Sequence, residues 1–116
     1  MWTLEEVLDA LAPRFITGLS ILGGDPFEPE NAVEVFEVCR MAKAVYPDKT
    51  IWVYTGYLYE DLKDFPIMDY IDVLVDGPFI EAQKDLTLAF RGSRNQRIID
   101  VKATRSSGTL TLLERI

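Results

Sequence analysis

Cysteine is nearly missing from this chain and histidine is missing altogether: 116 residues contain one Cys, Cys39, and no His. A single thiol excludes an intrachain disulfide and gives no support for secretion. Metal-cluster chemistry that needs three thiolates cannot come from these residues alone, and no imidazole is present to substitute. Positive charge is scarce as well. Lys and Arg number 12 against 19 Asp and Glu, for a net charge of −7. That balance disfavours a general nucleic-acid role, because phosphate neutralisation needs a basic surplus. No apolar run approaches the ~20 residues needed to span a bilayer. The start, Met1-Trp2-Thr3-Leu4-Glu5-Glu6, is too acidic and too briefly apolar for a signal peptide. The expectation is a soluble, cytoplasmic protein with no membrane and no nucleic-acid partner. Hydrophobic residues make up 48% of the chain, enough for one packed domain over 1–116. It has no internal repeat and no low-complexity segment.

Thr3 and Glu6 have the capping-box spacing, and Leu4, Val7, Leu8 and Leu11 follow at helical intervals up to Pro13. Phe15 to Leu22 reads as a strand covered on both faces. A long helix is predicted from Pro29, with Val33, Phe36, Val38, Met41, Ala42 and Val45 as its buried stripe and Pro47 as its end. Cys39 lies on or beside that stripe, as a buried, inert thiol. Ile51–Tyr54 is the second strand, Leu58–Asp64 a short helix with Glu60, Asp61 and Asp64 outward, and Ile67–Tyr70 a helical turn. Ile71–Val75 is the third strand. This alternation implies a parallel sheet with flanking helices and right-handed crossovers, an α/β fold. Beyond Gly77 the pattern weakens. Ile98–Val101 and Leu110–Leu113 look like short strands about a flexible Ser106-Ser107-Gly108, either extending the sheet or forming a hairpin.

Three apolar runs end abruptly in small polar loops: Leu19–Leu22 into Gly23-Gly24-Asp25-Pro26, Ile51–Tyr54 into Thr55-Gly56, and Val73–Val75 into Asp76-Gly77-Pro78. In a parallel sheet such loops gather along one edge, where ligands bind. Adjacent glycines let a ligand approach the backbone, and exposed carbonyls with Asp25 suit an ammonium group. The loop is not a phosphate cradle, since it has neither a Gly-Lys-Ser/Thr ending nor G-x-G-x-x-G. Each piece also has a plainer reading. Gly-Gly-Asp-Pro serves equally as a tight turn before a helix, and Asp72 and Asp76 as brackets of a strand. Trp52 and Tyr54 read as sheet packing. Arg91, Asn95 and Arg97 either pair with Asp100 to hold the terminal segment or face a partner.

The Gly-Gly-Asp-Pro loop resembles the Gly-Gly-Glu-Pro type motif of radical S-adenosylmethionine enzymes. The segments Lys49–Tyr57, Tyr70–Phe79 and Phe90–Asp100 narrow the likeness, over about Thr3 to Val101. With them the chain is similar to the glycyl-radical activating enzymes that serve anaerobic ribonucleoside-triphosphate reductase. The resemblance implies a partial, truncated radical-SAM-type (βα) barrel, with a βα core over 1–101 and a terminal strand or tail over 102–116. It implies S-adenosylmethionine and a [4Fe–4S] cluster as cofactors, and the reductase as partner. The reduced cluster of that family cleaves S-adenosylmethionine to a deoxyadenosyl radical, which takes hydrogen from a glycine of the reductase. By position Gly23, Gly24 and Asp25 would hold the methionine amino end, with Thr55, Gly56 and Asp76 lining the same edge. Asp25 stands where Glu is common, with shorter reach and the same charge.

The family binds its cluster through Cys-x-x-x-Cys-x-x-Cys ahead of the first helix, a loop these residues lack; Cys39 is elsewhere. The resemblance therefore implies the carboxyl-terminal portion of an activase, inactive alone, with no catalytic or metal-ligating residue to assign. Two other readings stand beside it. One is a cluster-less module that binds the reductase or S-adenosylmethionine; the other, lower in rank, is a receiver-like regulatory domain using Mg²⁺, which lacks the paired acids and lysine it needs. An uncovered sheet edge also predicts self-association.

Overall fold

The computed structural model describes residues 6, 9–10, 18–21, 27–88 and 91–113, with 18–21 and 30 described as backbone alone. The amino-terminal helix expected over Thr3–Leu11 lies outside the described residues apart from helical Glu6, Asp9 and Ala10. The Gly23-Gly24-Asp25-Pro26 loop lies outside them as well. In chain order the elements are β1 (Gly18–Ile21), α1 (Pro29–Val45), β2 (Thr50–Tyr54), α2 (Tyr59–Leu62), a 3-10 turn (Pro66–Asp69), β3 (Val73–Asp76), a second 3-10 turn (Glu81–Gln83), β4 (Arg97–Asp100) and α3 (Val101–Ser107).

The strands form one sheet in the order β1-β2-β3-β4. β1 pairs parallel with β2 from Gly18↔Thr50 to Ile21↔Val53, and β2 parallel with β3 from Trp52↔Val73 to Tyr54↔Val75. β4 runs antiparallel to β3, from Val73↔Asp100 to Asp76↔Arg97. The expected parallel sheet is therefore mixed. A parallel fourth strand needs a crossover back to the amino ends of the strands. The chain after β3 instead turns at Gly77 and re-enters the sheet at Arg97, the register partner of Asp76, so it returns along β3 from that same end.

α1 begins with Pro29 at its first position, where the missing N–H costs no hydrogen bond, and stops before Pro47. Its buried line runs through Phe36, Cys39, Ala42 and the adjoining Tyr46. Val33 and Val45, both expected in the stripe, are exposed, because the face toward β2 and β3 is centred on Cys39. Cys39 is fully buried. Desolvation pushes its thiol up to about 12, against a smaller pull downward from Lys43, so it carries no thiolate at neutral pH.

The helix-side core joins α1 and the Ile67–Met68 turn to Ile51, Val53, Leu74 and Ile99 of the sheet. The opposite face carries Val73, Val75 and Ile98, with Trp52, Tyr54 and Leu113 partly buried against them. Both aromatics pack on the sheet, and burial raises the Tyr54 phenol above its ordinary range.

Asp72 braces the amino end of β3. Its carboxylate accepts from the Ile51 amide at 2.7 Å, from Lys43 Nζ at 2.6 Å and from Lys102 Nζ at 2.9 Å. Burial pushes this carboxyl upward, but the hydrogen bonds from Lys43, Lys102 and the Ile51 amide together hold it below the usual range.

The carboxyl-terminal part differs most from expectation. Val101 opens α3 directly after β4 instead of ending a strand. Asp100 caps the helix by accepting from the Ala103 amide at 3.0 Å. Ser106 and Ser107 belong to the last turn and its vicinity, and Gly108 closes it at φ 75° with its N–H on Thr104 O. Leu110–Leu113 forms a single antiparallel bridge, Ile99↔Leu112, rather than a strand. Hydrogen bonds Asp100 N→Thr111 O and Leu113 N→Ile98 O lay this tail along the outer side of β4. The β4 edge is thus covered, and among the described residues β1 pairs with β2 alone.

Candidate functional site

β2 and β3 end side by side, so Thr55, Gly56 and Asp76 meet on one edge as the sequence pattern predicts. The Thr55 amide donates to Val75 O at 3.0 Å, continuing the ladder one residue past the strands. Thr55 is buried, and its Oγ1 accepts from the Tyr57 amide at 3.1 Å, folding the backbone over Gly56. Tyr57 O in turn accepts from the Gly77 amide at 2.8 Å. Gly56 is exposed at the tip of this turn. The Tyr57 hydroxyl reaches Glu28 Oε1 at 2.5 Å, tying the loop after β2 to the start of α1.

Asp76 is fully buried, and both its oxygens are occupied. Oδ1 accepts from Arg97 Nε at 3.0 Å. Oδ2 accepts from the Tyr59 amide at 2.7 Å and from Arg97 Nη2. The same guanidinium turns its other side to Glu60, with Nη1–Oε2 3.1 Å and Nη2–Oε1 2.6 Å. Asp76 and Arg97 are register partners across β3 and β4, so the antiparallel return is what delivers the arginine. Arg97 therefore pairs with Asp76 and Glu60, not with Asp100, whose carboxylate caps α3. Hydrogen bonds from Arg97 hold Glu60 down at about 2, and hydrogen bonds to Asp76 and Glu60 raise Arg97.

This gives a pH expectation. Glu60 has a depressed folded pKa, so its contribution to stability is present above its ordinary value of 4.5 and is lost as pH falls toward about 2. The side chain is 57% exposed, so the contribution is small, about 0.5 kcal/mol after solvent screening. Urea denaturation of wild type and Glu60→Gln is expected to show a gap at pH 7 that closes as pH drops through this window.

Two of the segments that carry the likeness, the one ending at Phe79 and the one from Arg91 on, prove to be halves of one clasp. Gln96 Nε2 donates to Gly77 O at 3.0 Å, and its Oε1 accepts from the Gly92 amide at 2.9 Å and the Ser93 amide at 3.2 Å. Asn95 Nδ2 donates to Pro78 O at 2.7 Å. Buried Ser93 donates to Asn95 Oδ1 and accepts from the Ile80 amide. Gly77 sits at φ 95°, which only glycine adopts without strain. A Cβ on Gly92 would meet the Phe79 ring at 3.1 Å, so glycine also lets that ring lie against the backbone.

Sequence reasoning placed Asp76 on this edge and missed its partners. Glu60 is expected to point outward and is exposed, yet it also meets Arg97. Arg97 is expected either to pair with Asp100 or to face a partner, and it binds Asp76 and Glu60 instead. The available signal was a buried-type Asp closing one strand and an Arg opening the next, which pair only if the second strand runs antiparallel. Gly23, Gly24 and Asp25 lie outside the described residues. Among the described residues no group of three His, Cys, Asp or Glu side chains is placed to hold a metal ion. With one thiol in the whole chain, buried and protonated, these residues do not fit a [4Fe–4S] cluster. No described helix is long and apolar enough to cross a membrane.

A family model described as a 4Fe-4S single cluster domain matches residues 2–99. The chain is 39% identical over 98 residues to the anaerobic ribonucleoside-triphosphate reductase-activating protein of Enterobacteria phage T4, covering 84% of this chain and 62% of that one. It is 48% identical over 83 residues to the protein of the same name in Vibrio cholerae, covering 70% and 54%, and 42% identical over 81 residues to that of Escherichia coli K12, covering 68% and 53%. The chain thus spans between about half and three-fifths of these relatives. No solved structure matches it.

Proposed function

We propose that this chain, which belongs to the 4Fe-4S single cluster domain family, is the sheet-and-clasp portion of a glycyl-radical activating enzyme. Its target would be anaerobic ribonucleoside-triphosphate reductase, and its setting the cytoplasm. The observation that carries this reading is the 39–48% identity to reductase-activating proteins. The fold is compatible with it: three parallel strands with crossovers through α1 and α2 make a βα unit of the kind that builds a partial (βα) barrel. Residues 1–101 would form that core, with 102–116 as its terminal extension.

The cofactors of the reading are S-adenosylmethionine and a [4Fe–4S] cluster. Three cluster thiolates are not available in these 116 residues, so they would come from chain outside them. S-adenosylmethionine would lie along the carboxyl edge, with its amino end at Gly23, Gly24 and Asp25. Thr55, Gly56 and Asp76 would frame that edge from the β2 and β3 side.

The native gene product, prepared without oxygen, supplied with iron, sulfide, reductant and S-adenosylmethionine and mixed with the reductase, is expected to give a glycyl-radical electron paramagnetic resonance signal. No radical from a cluster-loaded product would overturn the reading. The 116-residue chain treated alike is expected to assemble no [4Fe–4S] cluster, because Cys39 is buried and protonated.

The single inert thiol also favours a second reading, a cluster-less module that binds the reductase or S-adenosylmethionine without cleaving it. Calorimetric titration of the chain with S-adenosylmethionine separates the two. Weak or no uptake is expected of an activase portion, and tight uptake without cleavage belongs to the binding module.

A further inference from the structure

From the enclosure of its carboxylate, we infer that Asp76 anchors the 55–60 loop from inside and does not touch the ligand, and that Arg97 is the positioning residue that makes this possible. The ligand concerned is the one proposed above, so this inference rests on that reading for its chemistry and not for its geometry.

Asp76 is the one edge carboxylate among the three described candidate residues, and on charge alone it invites a role against a cationic ligand. Its surroundings argue otherwise. It has no exposed surface, and its oxygens accept from Arg97 Nε, Arg97 Nη2 and the Tyr59 amide. A carboxylate already facing a guanidinium has its charge compensated, so a second cation gains little from it and would have to displace a forked pair. What the pair does instead is mechanical. Arg97 pairs with Asp76 in the interior, Asp76 then holds the Tyr59 amide, and the other side of Arg97 holds Glu60. Tyr59 and Glu60 end the same turn that Thr55 Oγ1 and Gly77 N pin through Tyr57. Gly56, the exposed tip, is thus fixed between two fastened ends. A loop so held meets its ligand in one arrangement and pays no ordering entropy when it does.

Two variants of the native gene product separate loop order from direct contact. Arg97→Lys keeps a cation beside Asp76, sparing the fold, but a single ammonium cannot bridge both Asp76 oxygens and Glu60. Amide hydrogen exchange over residues 56–60 is expected to rise about tenfold in it, with sheet amides of Ile51, Leu74 and Ile99 much less changed. S-adenosylmethionine affinity, read by calorimetry, is expected to fall about tenfold in parallel. Asp76→Asn is the second variant: affinity is expected to follow loop protection, both kept or both lost. Loss of affinity with protection of 56–60 intact would make Asp76 a contact residue and overturn the inference. Unchanged exchange in Arg97→Lys would overturn it as well. The exchange measurement needs no ligand, so it decides the anchoring even if wild type takes up no S-adenosylmethionine, a result that would fall on the proposed function alone.

Discussion

Arg97→Met is expected to destabilise the protein by about 3 kcal/mol, measured as a lowered urea midpoint at unchanged slope. The cost comes from what the substitution leaves behind. Asp76, at 0% exposure in the native fold, is left with one donor, the Tyr59 amide. Removing one partner of a buried pair leaves the other desolvated and unpaired, which costs more than the pair contributed. The Arg97 side chain is 27% exposed, so water can reach part of the vacated space and the loss falls at the lower end of the range for buried pairs. In a chain of this size the melting temperature should fall by roughly 12 °C. The double variant Asp76→Asn/Arg97→Met removes the stranded charge and is expected to be more stable than Arg97→Met alone, the non-additivity of two groups acting as a unit. A loss under about 1 kcal/mol for the single variant would show that water reaches Asp76 in the folded state.

Leu74→Ala is expected to cost about 3 kcal/mol by a different route. Leu74 is central in β3, fully buried, and faces the core built from α1, Ile51, Met68 and Ile99. Truncation removes apolar contact area and leaves a cavity that the parallel β2–β3 pairing and α1 cannot close without moving backbone. The two variants are matched in cost and should differ in kind. Native-state hydrogen exchange in the 56–60 turn is expected to change little in Leu74→Ala, since the hydrogen bonds of Thr55, Gly77 and Asp76 are untouched. In Arg97→Met the same turn should lose protection ahead of the sheet. Equal loosening of the turn in both would mean that it simply follows global stability.

Much of the architecture was legible because it is written in local patterns. Pro29 and Pro47 bound α1, the unbroken apolar runs Ile51–Tyr54 and Val73–Val75 mark strands, and the small polar residues after them mark the edge where the loops gather. The stripe on α1 was misread at Val33 and Val45, because a helix with apolar residues all round has several faces to choose from, and the sheet selects the one centred on Cys39. The strand expected over Ile98–Val101 does extend the sheet, one of its two expected arrangements, but its end was misread by a residue, because Ile98-Ile99-Asp100-Val101 has the composition of a strand throughout. Asp100 stops the strand by capping the helix that begins at its neighbour, an outcome of side-chain hydrogen bonding that hydrophobic pattern does not encode.

The site divides along the same line. That Asp76-Gly77-Pro78-Phe79 and Arg91 to Arg97 were distinctive could be read directly; that they fasten to each other could not. Their partners lie 17 to 21 positions apart, and the pairing depends on the direction in which β4 returns.

Amino-acid order alone therefore established an α/β chain, acidic, with a single thiol and polar loops at its strand ends, because composition and nearest-neighbour periodicity suffice for those properties. The three-dimensional fold decided that the fourth strand runs backward, that Arg97 meets Asp76, and that the edge carboxylate is enclosed. These depend on contacts between residues distant in sequence, where strand direction and burial determine which charge faces which.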